Sequence, residues 1–288
     1  MEIDGAVKLV VGATTDALKA CIATHIATAA RSAIAQRGRY ILALSGGSMP
    51  HTLTRLITVP GVDWARVFIL FTDERCVPLD HEDSNFNACN SAFLNRLPIP
   101  AGNILTIDNS QGAAEAIAQD YEKRLMALLA VHGTLSIDTV LLGIGPDGHT
   151  ASLFPGHALL CETKKMVAGI TDSPKPPPER ITLTYPALRA AQEVVFIAVG
   201  VAKASLFKEA LCFSTTSVDG PREEAESAEA ADCSLITATI RENLPFPAFQ
   251  VRPASGELWY YTDREGASFL PAHGLSQTQT EKMGTGFL

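Results

Sequence analysis

The chain has 288 residues, 47% of them hydrophobic and 19% charged, which describes a globular protein with apolar surface for one large core or two small ones. No apolar run approaches the ~20 residues of a membrane-spanning helix, and Met1-Glu2-Ile3-Asp4-Gly5 carries acids where a secretory signal would carry bases, so the cytoplasm is the expected location and no membrane partner is expected. The net charge of -8 does not imply a basic partner, because six acids and one base fall between Asp219 and Asp232 and leave only -3 for the rest of the chain.

Six cysteines (Cys21, Cys76, Cys89, Cys161, Cys212 and Cys233) are scattered with no C-x-x-C pair, so reduced thiols are expected rather than a zinc site. Lys and Arg do not cluster among aromatics, and nucleic acid is not an expected partner.

Residues 14–36 place Leu18, Cys21, Ile22, Ile26, Ala29 and Ala30 at helical spacing, with Thr14, Thr15 and Asp16 as capping candidates and Gly38 as the stop. Tyr40-Ile41-Leu42-Ala43-Leu44 reads as a buried strand that runs into Ser45-Gly46-Gly47-Ser48. Met49 to Thr58 then reads as a helix with Pro50 in its first turn. Strand, glycine-rich turn and helix start together form a cradle for an anion, since free N–H groups and the helix dipole converge there; an ordinary β–α turn is the plainer alternative.

The next strand, Val67-Phe68-Ile69-Leu70-Phe71-Thr72, ends in Asp73-Glu74-Arg75. In the polar loop that follows, Asp80, His81, Glu82 and Asp83 are adjacent, and adjacent residues rarely converge on one ion, so a solvated loop is expected and no metal. A short helix over Asn90–Leu94, a strand over Asn103–Ile107 and an amphipathic helix over Gly112–His132 follow.

Thr139-Val140-Leu141-Leu142 is a short buried strand, followed by Gly143, Gly145 and Gly148 with Asp147 and His149 at its mouth. The letters Gly143-x-Gly145-x-x-Gly148 spell a dinucleotide fingerprint, but Pro155-Gly156 interrupts any long helix after it and no acid ends a clear strand near position 168. No organic cofactor is expected.

Ser173-Pro174-Lys175-Pro176-Pro177-Pro178 must lie extended, as a linker or as a wall over a site. The strand Arg180-Ile181-Thr182-Leu183-Thr184 begins so soon afterwards that a wall is favoured. Glu193 to Val199 is a further buried strand, feeding Gly200-Val201-Ala202-Lys203 and a helix through Leu211. An exposed acidic insertion is expected over 214–233, then a short helix over Leu235–Ile240, a strand ending at Val251, a last strand at Leu258-Trp259-Tyr260-Tyr261, and a loosely held tail over 271–288. Strands alternating with helices predict one doubly wound α/β domain over residues 1–270, its mostly parallel sheet covered by helices on both faces.

In such a sheet the C-terminal strand ends lie on one side. Ser45 to Ser48, Asp73 to Arg75, Gly145 to His149 and Gly200 to Lys203 can therefore line one crevice. Two of these ends suit an anion, and one sets an imidazole beside a carboxylate, able to take a proton near neutral pH. The pattern points to acid–base chemistry on a small phosphorylated substrate.

These motifs, with Phe71-Thr72-Asp73-Glu74-Arg75-x-Val77-Pro78, Gly143-Ile144-Gly145-x-Asp147-Gly148-His149-Thr150-Ala151-Ser152-Leu153-Phe154-Pro155 and Arg180-Ile181-Thr182-Leu183-Thr184 in order, resemble the 6-phosphogluconolactonase family. The resemblance spans roughly residues 7–270 and implies a Rossmann-like sheet with a small additional β segment. It implies hydrolysis of 6-phospho-D-glucono-1,5-lactone to 6-phosphogluconate in the oxidative pentose phosphate pathway, without cofactor or metal. His149 would be the general base, and Asp147 would orient the imidazole or, set between glycines, help to shape the loop. Ser45, Gly46, Gly47, Ser48, Asp73, Arg75, Arg180 and Lys203 would hold the phosphorylated sugar lactone. A monomer, or at most a weak homodimer, is expected.

Related glucosamine-6-phosphate deaminases share the Gly-Ile-Gly-x-Asp-Gly-His loop but continue with an Ile-Ala-Phe-Asn-Glu-Pro type of sequence, whose acid is missing from Thr150 to Pro155. A sugar-phosphate-binding regulator would not need Asp147 and His149 together. A serine hydrolase at Ser45 lacks the Gly-x-Ser-x-Gly elbow.

Overall fold

The structure, a computed structural model, describes residues 6–213, 218–219 and 232–270. Strand β1 (Ala6–Gly12) leads into helix α1 (Thr15–Arg37), which Thr14 caps by accepting from the Ala17 N–H and which Gly38 ends with φ 75°. Strand β2 (Tyr40–Leu44) is followed by α2 (Met49–Thr52), β3 (Val67–Phe71), β4 (Asp73–Arg75), α3 (Asn85–Ala92) and α4 (Ala114–Val131). Then come β5 (Thr139–Gly143), β6 (Val167–Ile170), β7 (Arg180–Leu183), α5 (Tyr185–Ala190), β8 (Glu193–Ile197) and α6 (Ala204–Ala210). Strands β9 (Leu211–Cys212), β10 (Val218–Asp219), β11 (Cys233–Ile240) and β12 (Glu257–Asp263) complete the described elements.

The nine-stranded main sheet runs β10-β11-β1-β12-β8-β5-β2-β3, with β9 also paired to β11. From β1 through β3 every neighbouring pair is parallel, and β9, β10 and β11 add an antiparallel edge. Alternate strand residues feed two cores. Ile41, Ala43, Val140, Leu142, Val194 and Phe196 pack on one face beneath α4, α5 and α6, while Leu42, Leu44, Leu141, Val195 and Ile197 pack on the other beneath α1. Burial on both faces is why these strands are continuously apolar. Strand β3 lies on one side of β2 and β5 on the other, so the winding reverses between β2 and β5 and opens a crevice at their C-terminal ends. A second sheet, β4-β7-β6, is antiparallel and joined to β3 through Thr72 alone, which hangs it over that crevice.

Several expectations are corrected. Leu235–Ile240 is not a helix but part of β11, antiparallel to β1 with Ile236 opposite Leu9; the β-branched Ile236, Thr237, Thr239 and Ile240 suit a pleated edge. No strand ends at Val251, where Pro247–Phe249 forms a 3₁₀ turn instead. Asn103–Ile107 contributes only a bridge from Ile104 to Ile69. The helix placed over Asn90–Leu94 starts earlier, at Asn85, because Ser84 caps it by accepting from the Asn87 N–H. The helix from Met49 is α-helical only to Thr52 and 3₁₀ from Leu53 to Thr58. Of the acidic insertion, Val218–Asp219 and Cys233 lie in strands, while most of it and the tail over 271–288 lie outside the described residues.

Thr14→Ala removes the side-chain cap of a helix that lies against β1 and β2, and is expected to lower the unfolding free energy by about 1 kcal/mol in thermal or urea denaturation. An unchanged midpoint would show that water satisfies that N–H equally well.

Candidate active site

A cleft of about 260 Å³ opens at the winding reversal, the scale of a small-molecule site. Its lining comes from the ends of β2 (Ser45 to Met49), β5 (Gly143 to Pro146, His149 and Ala151) and β8 (Ile197 to Val199 and Lys203), and from Asp73 and Arg75 of β4, Asn85 of α3 and Arg180 of β7. Every predicted site residue except Asp147 lines it, and Asp147 reaches it through His149.

The loop after β5 folds on itself: the Gly145 N–H donates to the His149 carbonyl at 2.8 Å and the Gly148 N–H to the Gly145 carbonyl at 3.0 Å. Gly148 has φ 78°, and a Cβ there would meet the Phe246 ring at 2.6 Å. The His149 imidazole rests against the Phe154 ring, 4.9 Å between centroids, with its Nδ1 hydrogen-bonded to Asp147 Oδ1. Burial pushes the Asp147 carboxyl up, but the His149 bond and charge and the Lys175 bond outweigh it and hold the group at about 2. An ionised carboxylate can only accept, so Nδ1 carries the proton and the Nε2 lone pair is left free. Burial, reinforced by the Lys175 charge and opposed by Asp147 and Asp73, lowers the His149 pKa below its ordinary value. The imidazole is thereby neutral near pH 7 and can act as a base.

The side of the cleft expected to bind an anion has its own detail. Ser45 lines the cleft but is buried, its hydroxyl bonded to Thr72 Oγ1 at 2.6 Å and donating to the Leu141 carbonyl at 3.0 Å, so that it ties three strand ends together. Gly47 and Ser48 are exposed at the cleft, and Gly47 has φ 68°. With α2 a single turn, the helix dipole adds less than a long helix would. The charge is supplied by Arg75, whose Nη1 donates to the Asp83 carbonyl at 2.6 Å, and by Lys203. Burial, then repulsion from Lys175, lowers the Lys203 pKa against the pull of Asp147.

Asp73 and Glu74, alike in sequence, part company. The Asp73 carboxylate lies at the cleft, accepting from Ser152 Oγ at 2.8 Å and Asn85 Nδ2 at 3.1 Å. The Glu74 carboxylate turns inward and caps α3, accepting from the Asn85 and Phe86 N–H groups at 2.7 and 2.8 Å. Arg180 is also a strut: its guanidinium donates to the carbonyls of Pro177 at 2.9 Å, Pro176 at 2.9 Å and Lys175 at 3.0 Å, clamping the proline-rich arm.

A family model described as glucosamine-6-phosphate isomerases/6-phosphogluconolactonase matches residues 13–232. The chain belongs to this family. Its curated relatives include the 6-phosphogluconolactonase of Rattus norvegicus, 40% identical over 88% of this chain and 90% of the relative, and that of Homo sapiens, 39% identical over the same shares. A crystal structure of 6-phosphogluconolactonase from Leishmania guyanensis is 26% identical and superposes with a TM-score of 0.70, covering 92% of this chain and 99% of that one.

For this member of the isomerase–lactonase family, the sequence reading missed three contributors to the site. Lys175 reaches His149 and Asp147 from the arm. Asn85 holds the Asp73 side chain and lies against Gly46, where a Cβ would meet Asn85 Oδ1 at 1.8 Å. The turn Pro247–Phe249 braces the His149 loop, with the Ala248 N–H donating to the Gly148 carbonyl at 3.0 Å. The first carried a signal, a lysine set among prolines in an arm expected to wall the site. The other two depend on contacts between segments far apart in the chain.

Proposed function

We propose that this cleft hydrolyses 6-phospho-D-glucono-1,5-lactone to 6-phosphogluconate, in the cytoplasm and as a step of the oxidative pentose phosphate pathway. The observation that carries the reading is the single imidazole whose Nδ1 is held by Asp147, leaving Nε2 free in a cleft that also holds Arg75 and Lys203. His149 Nε2 takes a proton from water as its oxygen bonds to the lactone carbonyl carbon. The bond from that carbon to the ring oxygen then breaks, and the imidazolium returns the proton to the departing oxygen. The Gly46, Gly47 and Ser48 backbone, with Arg75 and Lys203, holds the phosphate and so fixes the carbonyl over His149. An activated ester needs only a base and stabilisation of the oxyanion.

The family also contains isomerases of glucosamine 6-phosphate, and ring opening with isomerisation needs further acid–base groups. After His149 this loop offers Ser152, committed to Asp73, and Phe154, its ring tilted against the imidazole, with no carboxylate. That favours hydrolysis. The test is a coupled assay with freshly prepared phospholactone, corrected for spontaneous hydrolysis, run beside glucosamine 6-phosphate. Turnover of the amino sugar with none of the lactone would overturn the reading.

Lys203→Ala and Arg75→Ala are each expected to raise KM roughly tenfold, the loss of one charge-assisted contact. A fall in kcat at saturation with KM unchanged would move that side chain's role from grip to transition state.

A further inference from the structure

The Lys175 ammonium lies 3.0 Å from His149 Nδ1 and 3.3 Å from Asp147 Oδ1. It is placed there from outside the loop. Ser173 Oγ donates to the Lys175 carbonyl at 2.8 Å, and Arg180 clamps the carbonyls of Lys175, Pro176 and Pro177. Nδ1 already donates to Asp147, so an ammonium beside it has no lone pair to meet there and must direct its proton to the same carboxylate oxygen. Two donors therefore compete for Asp147 Oδ1, and one of them is a full positive charge against the edge of the imidazole.

We propose that Lys175 is a positioning residue of this site: from the proline-rich arm it occupies Asp147 and opposes positive charge on His149, so that Nε2 remains an available base at neutral pH. Without it, only burial would oppose the pull of Asp147 and Asp73 on the imidazole, and the share of imidazolium at neutral pH would rise. The other charged groups around the ring do not replace it. Asp73, on β4, pulls the same way as Asp147. Arg180 is turned to the arm carbonyls, and Arg75 to Asp83. Lys203 also lines the cleft and feels the charges of Lys175 and Asp147, but of the two lysines it is Lys175 whose charge acts on His149. Lys175 is half-buried, so its influence is partly screened by solvent.

The test is Lys175→Met in the full chain, which keeps an unbranched apolar stem and removes the charge, beside Lys175→Arg. The first measurement is an NMR titration of the His149 ring nitrogens without substrate, assigned by comparison with His149→Asn. The midpoint is expected to rise on the order of one pH unit in the Met variant and to stay near the parent value in the Arg variant. The second is the pH profile of kcat/KM, whose acid limb should move upward with the NMR midpoint. An unmoved midpoint in Lys175→Met, a profile scaled down without displacement, or an Arg variant that titrates like Met would each overturn the proposal. Only the second measurement rests on the lactonase reading. Absence of turnover in the parent protein would count against that reading, while the titration would still decide the role of Lys175.

Discussion

His149→Ala is expected to lower kcat for the phospholactone by ~10²-fold or more, the usual worth of a positioned general base, while the protein remains folded. The side chain sits at the mouth of the cleft with one face on Phe154, so truncation leaves an open recess that water can fill rather than a sealed cavity. The proposed phosphate contacts lie on other strand ends, so KM should change little and the loss should fall on kcat. The pH dependence has a definite sign. On the proposed reading the base works as neutral imidazole, so activity is expected above the His149 pKa and should be lost as pH falls through it. Burial, with Lys175, places that pKa below the ordinary histidine value, so the acid limb should lie below that of an exposed histidine. In His149→Ala the limb should disappear along with the rate. The measurements are steady-state kinetics corrected for uncatalysed lactone opening, and circular dichroism across thermal unfolding. Near-parental turnover by a folded variant would assign the base to another group.

The parts of the site that were legible in the sequence are those whose cause is local. A continuous apolar run such as Tyr40–Leu44 or Val140–Leu142 declares a strand buried on both faces, and the glycines and polar residues after it declare where the sheet opens. Parallel winding then brings Ser45–Ser48, Asp73–Arg75, Asp147–His149 and Lys203 to one rim without further information. The parts that were not legible depend on pairing between distant segments. Strand β11 exists because β1 offers it an edge, and its Leu235–Ile240 run fits a helix nearly as well when taken alone. Asp73 and Glu74 are neighbours of the same chemistry, and only the arrival of α3 decides that Glu74 caps a helix while Asp73 faces the cleft. The strand, glycine-rich turn and helix start place Ser45 in the cradle but say nothing of where its hydroxyl is bonded. Its commitment to Thr72 and Leu141 follows from the spacing of β2, β3 and β5. Lys175 is the most informative omission, since extended proline-rich geometry was anticipated but the target of the lysine within it was not.

Gly145→Ala is expected to cost on the order of 10²-fold in kcat with little loss of stability, because the burden falls on the placement of the imidazole. A Cβ at this position would stand 1.9 Å from His149 Nδ1, 2.0 Å from its Cε1 and 2.8 Å from Asp147 Oδ1. These are side-chain atoms at the mouth of a cleft, so the clash can be relieved by rotating the ring outward, breaking its bond to Asp147. The Gly145 backbone, unlike that of Gly148, does not lie at positive φ, so alanine adds no strain of its own there. Gly148→Ala would be a poor probe of the same question, since it combines φ 78° with a contact to Phe246 at 2.6 Å and would disturb the whole loop. In Gly145→Ala the fold, the proposed phosphate contacts and both titratable groups should be retained, and only the register of the proposed base against the substrate carbonyl should be lost. Unchanged melting temperature and KM with a depressed kcat would identify the glycine as the space in which the imidazole is held. Parental kcat would mean that the ring performs its chemistry from some other position, and the orienting role of Asp147 would fall with it.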